Sequence, residues 1–217
     1  MKEDNPNLKV IIFFCDPVKR TYSHVNQILA MSKFQTGNVY TEVDASECMK
    51  LIVNGLPTSE GGSLNCGSFH GIGLNMAVER SNYMTTITPW LQHFNLTDIH
   101  LIDGSNLVTN PKVEFDLISK FFNQSSELQF KYNEVKGFDC LDEPTPQCLE
   151  ASKGRSWKKG SREKITVTYA SEFAKLEAYF HDEMMRFHEL LSTKFPKNTF
   201  NEGRFEWLNK YSNKSYS

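Results

Sequence analysis

The sequence has no uninterrupted apolar run that approaches the ~20 residues a transmembrane helix needs. Its first ten residues, MKEDNPNLKV, are polar and hold no apolar stretch of signal-peptide or anchor length. Charge of one sign is not in excess either, because the formal net charge is −2. We therefore expect no membrane segment and no targeting signal in this chain, and no overall positive field that would recruit nucleic acid.

Internal repeats and low-complexity segments are also missing, which argues against solenoid and linker-like architectures. What remains is ordinary for a globular protein, with 39% hydrophobic and 23% charged residues. A chain of 217 residues is long enough to bury a substantial core, as one large domain or two small ones.

Cysteine is sparse, but two of the five cysteines, Cys140 and Cys148, enclose only seven residues. This spacing suits a disulfide in an oxidising compartment or half of a metal site, and zinc is disfavoured because no second Cys or His pair lies nearby at ligand spacing. The odd cysteine count leaves at least one thiol free or paired outside the chain. Three Asn-x-Ser/Thr sequons, at Asn95, Asn123 and Asn213, are compatible with a secretory product.

The segment that follows the second cysteine predicts an anion site. Lys153 and Arg155 supply cationic donors, and Gly154 lets backbone N–H groups approach an anion closely. Further basic residues extend this stretch into a local patch: Lys158, Lys159, Arg162 and Lys164. The alternative interpretation is a solvated basic loop with no ligand.

Near the N-terminus, the apolar run from Leu8 to Phe14 predicts a buried strand of a parallel sheet. Asp16 and Pro17 then predict a helix start, with Asp16 as the N-cap, and the helix is expected to run to Met31. A strand that turns directly into a helix presents backbone N–H groups at the carboxyl edge of the sheet, where anionic ligands bind in α/β folds. Ser23 lies in the opening turns of this helix.

Apolar spacing predicts the remaining elements. Helices are expected over residues 42–53, over 76–94 and over about 171–193, and Pro89 is expected either to kink the second of these or to start a new helix. Another helix is expected from Asn110-Pro111, with Val113, Leu117, Ile118 and Phe121 on its apolar face. A second strand is expected over 99–102. Glycine-rich residues 61–68 and most of 123–170 are expected to be loop, except for a short extended piece around Phe130 and Tyr132. The stripe of the last helix comprises Phe173, Leu176, Phe180, Met184, Phe187 and Leu191, and His181 and His188 beside it are expected to be surface or packed histidines rather than ligands.

Segments in this order resemble the C-terminal part of the heparan sulfate glucosamine 3-O-sulfotransferases, with the N-sulfotransferase domain as a near relative. They are CDPVKRTYS at 15–23, RSNY at 80–83 followed by WLQHF, IHLIDGSNLVTNP at 99–111, KGFDC…CLEASKGR at 136–155, EAYFHDEMMRFHELL, and GRFEW at 203–207. The resemblance implies an α/β sulfotransferase (P-loop-like) fold, with a parallel sheet core and helices. Residues 1–217 would be a single, incomplete sulfotransferase domain that lacks the N-terminal strand with its phosphosulfate loop.

The resemblance also implies a sulfate donor, 3′-phosphoadenosine 5′-phosphosulfate (PAPS), a heparan sulfate glycan as partner, no metal, and the Golgi lumen as location. Ser23 would bind the 3′-phosphate of the nucleotide. The Lys153, Gly154 and Arg155 loop, followed by Ser156 and Trp157, would close over the nucleotide, and Cys140 and Cys148 would form the disulfide of that loop.

Departures from the family pattern bear on activity. Cys15 stands where the family has the arginine that binds the 3′-phosphate, and losing such a charge-assisted contact costs roughly 1.5–3 kcal/mol. Ser156 and Trp157 replace a pattern that continues to His-Pro. The family's phosphosulfate loop and catalytic glutamate precede the strand that begins at Leu8, and no base is assigned in this sequence. His24, beside Ser23, is the nearest candidate and is expected to be a surface histidine.

Two functions are therefore expected. The first is PAPS-dependent sulfation of heparan sulfate, at the 3-hydroxyl of glucosamine, with no turnover by this chain alone. The second is a non-catalytic fragment or degenerate relative that binds a nucleotide or sulfated glycan.

Overall fold

The computed structural model describes residues 5, 7–36, 42–55, 75–125, 128–135, 138–148, 168–197, 199–200 and 203–212. The strands are β1 Val10–Phe14, β2 Ile99–Asp103, β3 Gln129–Asn133 and β4 Phe138–Glu143. The helices are α1 Pro17–Thr36, α2 Glu42–Asn54, α3 Asn75–Glu79, α4 Tyr83–His93, α5 Gly104–Thr109, α6 Pro111–Phe121, α7 Ala170–Lys194 and α8 Asn209–Ser212. Short 3₁₀ turns cover Leu96–Asp98 and Glu206–Leu208.

Strands β1 and β2 pair in parallel, from Val10 opposite Ile99 to Phe14 opposite Asp103. The chain crosses between them through α1 to α4, as parallel pairing requires, and the predicted α/β class is confirmed. The prediction that β1 is buried on both faces is wrong for one residue. Phe14 is 1% exposed, but Phe13, which points to the other face of the strand, is 57% exposed because the described helices do not cover that face.

The core is organised around α7. All six residues of the predicted stripe are buried, which confirms the helical spacing of three and four residues. Phe187 packs edge-on against Phe14, with ring centroids 4.8 Å apart, and its ring lies 5.5 Å from that of Tyr83. This aromatic contact fixes the carboxyl end of β1 against the last long helix.

The C-terminal segment is tied to β2 by a buried ion pair. Arg204 Nη2 donates to Glu114 Oε2 and to the Leu101 carbonyl oxygen, both at 2.8 Å, and Asn106 Nδ2 donates to Glu114 Oε1 at 2.7 Å. Glu114 is 0% exposed. The predicted apolar face of α6 is wrong at Val113, which is 39% exposed, because the helix turns Glu114 inward to meet Arg204.

Other boundaries also differ from the sequence expectation. Residues 76–94 form two helices rather than one, because Asn82 accepts the Thr85 N–H at 3.3 Å and caps a new helix, which contains Pro89. The expected extended piece around Phe130 and Tyr132 is confirmed as β3, and β4 pairs with it in an antiparallel hairpin that was not expected.

Helix α1 extends past its expected end to Thr36, and α5 was not expected at all. The glycine-rich stretch 61–68 lies outside the described residues. Within the described part of the chain, no helix has both the length and the hydropathy to span a membrane.

Candidate anion-binding site

The candidate site lies at the carboxyl edge of the parallel strands, where each strand passes directly into a helix. Asp16 follows β1, and its Oδ1 accepts the N–H groups of Val18 at 3.0 Å and Lys19 at 3.4 Å. Asp103 ends β2, and its Oδ1 accepts the Ser105 N–H at 2.8 Å. Both carboxylates are 3% exposed. The predicted capping role of Asp16 is confirmed, and α1 and α5 begin side by side.

Tyr83 holds the turn between β1 and α1 in place. Its hydroxyl donates to the Cys15 carbonyl oxygen at 2.6 Å, and its ring packs edge-on against Phe14 with centroids 4.9 Å apart. Burial raises the pKa of Tyr83 well above its usual value of 10, so the phenol keeps its proton. Tyr83, the tyrosine of the RSNY segment, therefore holds the end of β1 and the start of α1 in position.

Gly104 allows α5 to begin against the end of β1. A Cβ atom at this position would lie 3.2 Å from the Phe14 carbonyl oxygen and 3.3 Å from the Cys15 Cβ. Any larger residue would push the two helix starts apart.

A cavity of about 280 Å³ opens between α1 and α5. Lys19, Ser23 and Gln27 line it from one row of α1 at intervals of four residues, since residues four apart share a helix face. The complete lining comprises Cys15, Lys19, Arg20, Ser23, His24, Gln27, Gly104, Ser105 and Val108. Its charged side chains are cationic, and no carboxylate of the described residues lines it.

Two donor groups in this cavity are available to a ligand. The Lys19 ammonium and the Ser23 hydroxyl make no hydrogen bond or ion pair with other described side chains. The Arg20 guanidinium is engaged, since its Nη1 donates to Ser81 Oγ at 3.3 Å. Cationic and hydroxyl donors that converge without an acid are suited to an oxyanion such as phosphate.

His24 is half-buried and lines the wall of this open cavity, so the histidine that was expected at the surface faces the candidate site. Burial lowers the pKa of His24 below 6.5, and the positive charges of Arg80 and Arg20 act in the same direction. The imidazole is therefore neutral at neutral pH and sits in a positive environment.

Cys15 contributes a thiol to the cavity, at the position where the sulfotransferases that this sequence resembles have an arginine. It is the free cysteine among the described residues, and burial raises the pKa of its thiol above 9.0. The thiol therefore stays neutral. Cys140 and Cys148 are joined by a disulfide, as the resemblance implied, and Cys48 is also disulfide-bonded.

A larger cavity of about 800 Å³ adjoins the first, since Lys19 and Ser105 line both. Most of the charged side chains that line this larger cavity have a partner of opposite charge. Lys210 Nζ donates to Asp16 Oδ2 at 2.9 Å and to Glu177 Oε1 at 2.8 Å. Burial raises the pKa of Asp103, which also lines this cavity, to about 6, although the N–H groups of Ser105 and Asn106 oppose the shift.

The structure places one of the predicted nucleotide residues, Ser23, in the smaller cavity. Lys153, Gly154, Arg155, Ser156 and Trp157 lie outside the described residues, and their role stays a prediction. No group of three or more metal-ligating side chains occurs within the described ranges.

Sequence reasoning did not assign Lys19, Gly104 or Ser105 to the site. The signal for the last two was present, since Asp103-Gly104-Ser105 ends a strand that parallel pairing brings beside Asp16.

A family model for the sulfotransferase domain matches residues 2–188. The chain is 31% identical over 119 residues to heparan sulfate glucosamine 3-O-sulfotransferase 5 of Homo sapiens and of Mus musculus, covering 52% of this chain and 32% of each relative. It is 26% identical over 160 residues to bifunctional heparan sulfate N-deacetylase/N-sulfotransferase 1 of Caenorhabditis elegans, covering 70% of this chain and 16% of that relative. The matched part of the chain thus covers about a third, 32%, of the length of these two 3-O-sulfotransferases.

Proposed function

Because the chain belongs to the sulfotransferase-domain family, we propose that it binds PAPS and takes part in sulfation of heparan sulfate, at the 3-hydroxyl of glucosamine. The names of the relatives support the glycan, and the 3-O-sulfotransferases among them support the hydroxyl. The similarity to N-sulfotransferases makes N-sulfation the competing regiochemistry. We further propose a single domain, supported by one continuous cluster of buried apolar residues.

The observation that carries this proposal is the smaller cavity at the start of α1. It combines the Ser23 hydroxyl, the Lys19 ammonium and the Arg20 guanidinium with no lining carboxylate among the described residues. Its volume of about 280 Å³ is ample for a phosphate group. PAPS would supply the sulfuryl group when bound, and Ser23 and Lys19 would hold the 3′-phosphate of its ribose, with Arg20 adding positive charge to the cavity.

The predicted loop completes the proposed nucleotide site. Cys148 pairs with Cys140 at the end of the β3–β4 hairpin, and Lys153 follows it by five residues. We propose that Lys153, Gly154 and Arg155 close over the nucleotide, with Ser156 and Trp157 beside them. A disulfide at the base of this loop suits an oxidising compartment such as the Golgi lumen.

Isothermal titration calorimetry with adenosine 3′,5′-bisphosphate tests the nucleotide site. The protein should bind, and Ser23→Ala should weaken binding about tenfold, the typical value of one hydrogen bond to a charged group. Ser192→Ala is the matched control, because Ser192 is exposed on α7 and bonds its own helix at the Glu189 carbonyl oxygen. Absence of binding by the unaltered protein would contradict the proposal.

A second candidate is binding without turnover, which is supported by the neutral Cys15 thiol and by a smaller cavity whose described lining residues include no carboxylate that could act as a base. Incubation with radiolabelled PAPS and heparan sulfate separates the two. Label in the glycan above a boiled control supports the enzyme, and disaccharide analysis of that product distinguishes 3-O- from N-sulfate. Binding of the nucleotide without label transfer supports the second candidate.

A further inference from the structure

Cys15 brings no positive charge to the smaller cavity, but Lys19, one helical turn later, does. The Cys15 side chain in the cavity is a neutral thiol, so it cannot offset the charge of a phosphate. We infer that Lys19 supplies the missing cation, and that it is the residue that makes this protein recognise the 3′-phosphate of its nucleotide. The inference rests on the proposed nucleotide site and names the residue on which its selectivity depends.

The first support is the state of the Lys19 ammonium group. Two described lysines have carboxylate partners: Lys210 bridges Asp16 and Glu177, and Lys112 pairs with Asp116 at 2.9 Å. Lys19 is half-buried, lines both cavities, and has no acceptor among the described residues. An anion bound in either cavity would therefore give this ammonium group an acceptor.

The second support is the way the surrounding charges are occupied. The Asp16 carboxylate caps the same helical turn, but its Oδ2 accepts from Lys210 and its Oδ1 accepts backbone N–H groups. Asp16 therefore does not form an ion pair with the Lys19 ammonium. Lys210 thus acts as a counterion that leaves Lys19 available to a ligand.

The third support is that Arg20 is less available than Lys19 to supply the cation that Cys15 lacks. Its guanidinium is directed to Ser81 Oγ, on the short segment between α3 and α4.

The experiment compares two nucleotides that differ only in the 3′-phosphate, adenosine 3′,5′-bisphosphate and adenosine 5′-monophosphate, by calorimetry. Lys19→Met should weaken binding of the bisphosphate by about 10- to 100-fold and leave binding of the monophosphate within about threefold. Lys175→Met is the matched control, since Lys175 is an exposed lysine of α7 that donates to Asn54. It should change neither affinity.

A rescue variant keeps the test independent of any loss of stability. Cys15→Arg in the Lys19→Met background should restore most of the preference for the bisphosphate, because it returns a cation to the same cavity. No binding of either nucleotide by the unaltered protein would defeat the proposed function itself. Binding with an unchanged preference in Lys19→Met, or an equal loss for both nucleotides, would overturn the role of Lys19 while leaving the proposed function in place.

Discussion

His100 and Asp103 on β2 should give this protein two opposite responses to pH that nearly cancel. Both are 3% exposed. Burial lowers the pKa of His100 from 6.5 to about 4, and the charge of Arg204 acts in the same direction. Burial raises the pKa of Asp103 from 3.8 to about 6. Each change is a difference in proton binding between the folded and unfolded chain, and therefore a pH-dependent part of the stability.

The signs are opposite. Between pH 6.5 and about 4 the unfolded His100 holds more protons than the folded one, so stability falls as the pH falls, by about 3 kcal/mol at pH 4. Between about pH 6 and 3.8 the folded Asp103 holds more protons than the unfolded one, so stability rises as the pH falls. Its contribution between pH 7 and pH 4 is roughly 2–3 kcal/mol.

Single substitutions should reveal the two responses. We expect His100→Phe, which keeps a ring stacked on Phe121, to gain about 3 kcal/mol relative to the unaltered protein when the pH is lowered from 7 to 4. Asp103→Asn should lose roughly 2–3 kcal/mol over the same range, and the double variant should follow the unaltered protein. Urea unfolding at pH 7, 5.5 and 4 measures these differences, from which all other titrating groups cancel. Parallel pH curves for the three variants and the unaltered protein would refute the reasoning.

Two further predictions concern charges elsewhere. Arg204→Met should lower the free energy of unfolding by about 3–5 kcal/mol, because it leaves the fully buried Glu114 without its cation. The double variant Arg204→Met with Glu114→Gln should recover part of that loss in urea melts. An equal cost for the single and double variants would argue against the ion pair. The ratio of the affinity of the unaltered protein for adenosine 3′,5′-bisphosphate to that of His24→Gln should rise between pH 7.5 and 5.5, because the bound phosphate favours proton uptake by His24, whose pKa is lowered in the unliganded protein. The titration of the ligand itself, with a second phosphate pKa of about 6, cancels from this ratio. Equal pH profiles in calorimetry would exclude His24 from the site.

The local parts of this fold were readable from the sequence. Asp16 and Pro17 predicted where α1 begins because capping depends on adjacent residues, and the stripe of α7 followed from its helical period. The break at Asn82 had the same kind of signal, a capping side chain, but the apolar spacing on both sides concealed it.

The second wall of the cavity was harder to predict. Helix α5 has six residues, too few for a periodic pattern, and its position depends on the close approach of Gly104 to the end of β1. Likewise, Glu114 rather than Val113 faces inward because Arg204, 90 residues away in sequence, supplies the partner. Such non-local pairings leave no mark in the spacing of apolar residues.

A crystal structure with adenosine 3′,5′-bisphosphate tests the central claim most directly. The account predicts a phosphate group in the cavity between α1 and α5, at hydrogen-bonding distance from Ser23 Oγ, with Lys19 beside it and Arg155 approaching from the opposite side. A nucleotide whose phosphates lie away from Ser23, or a cavity that stays empty at saturating nucleotide, would contradict it.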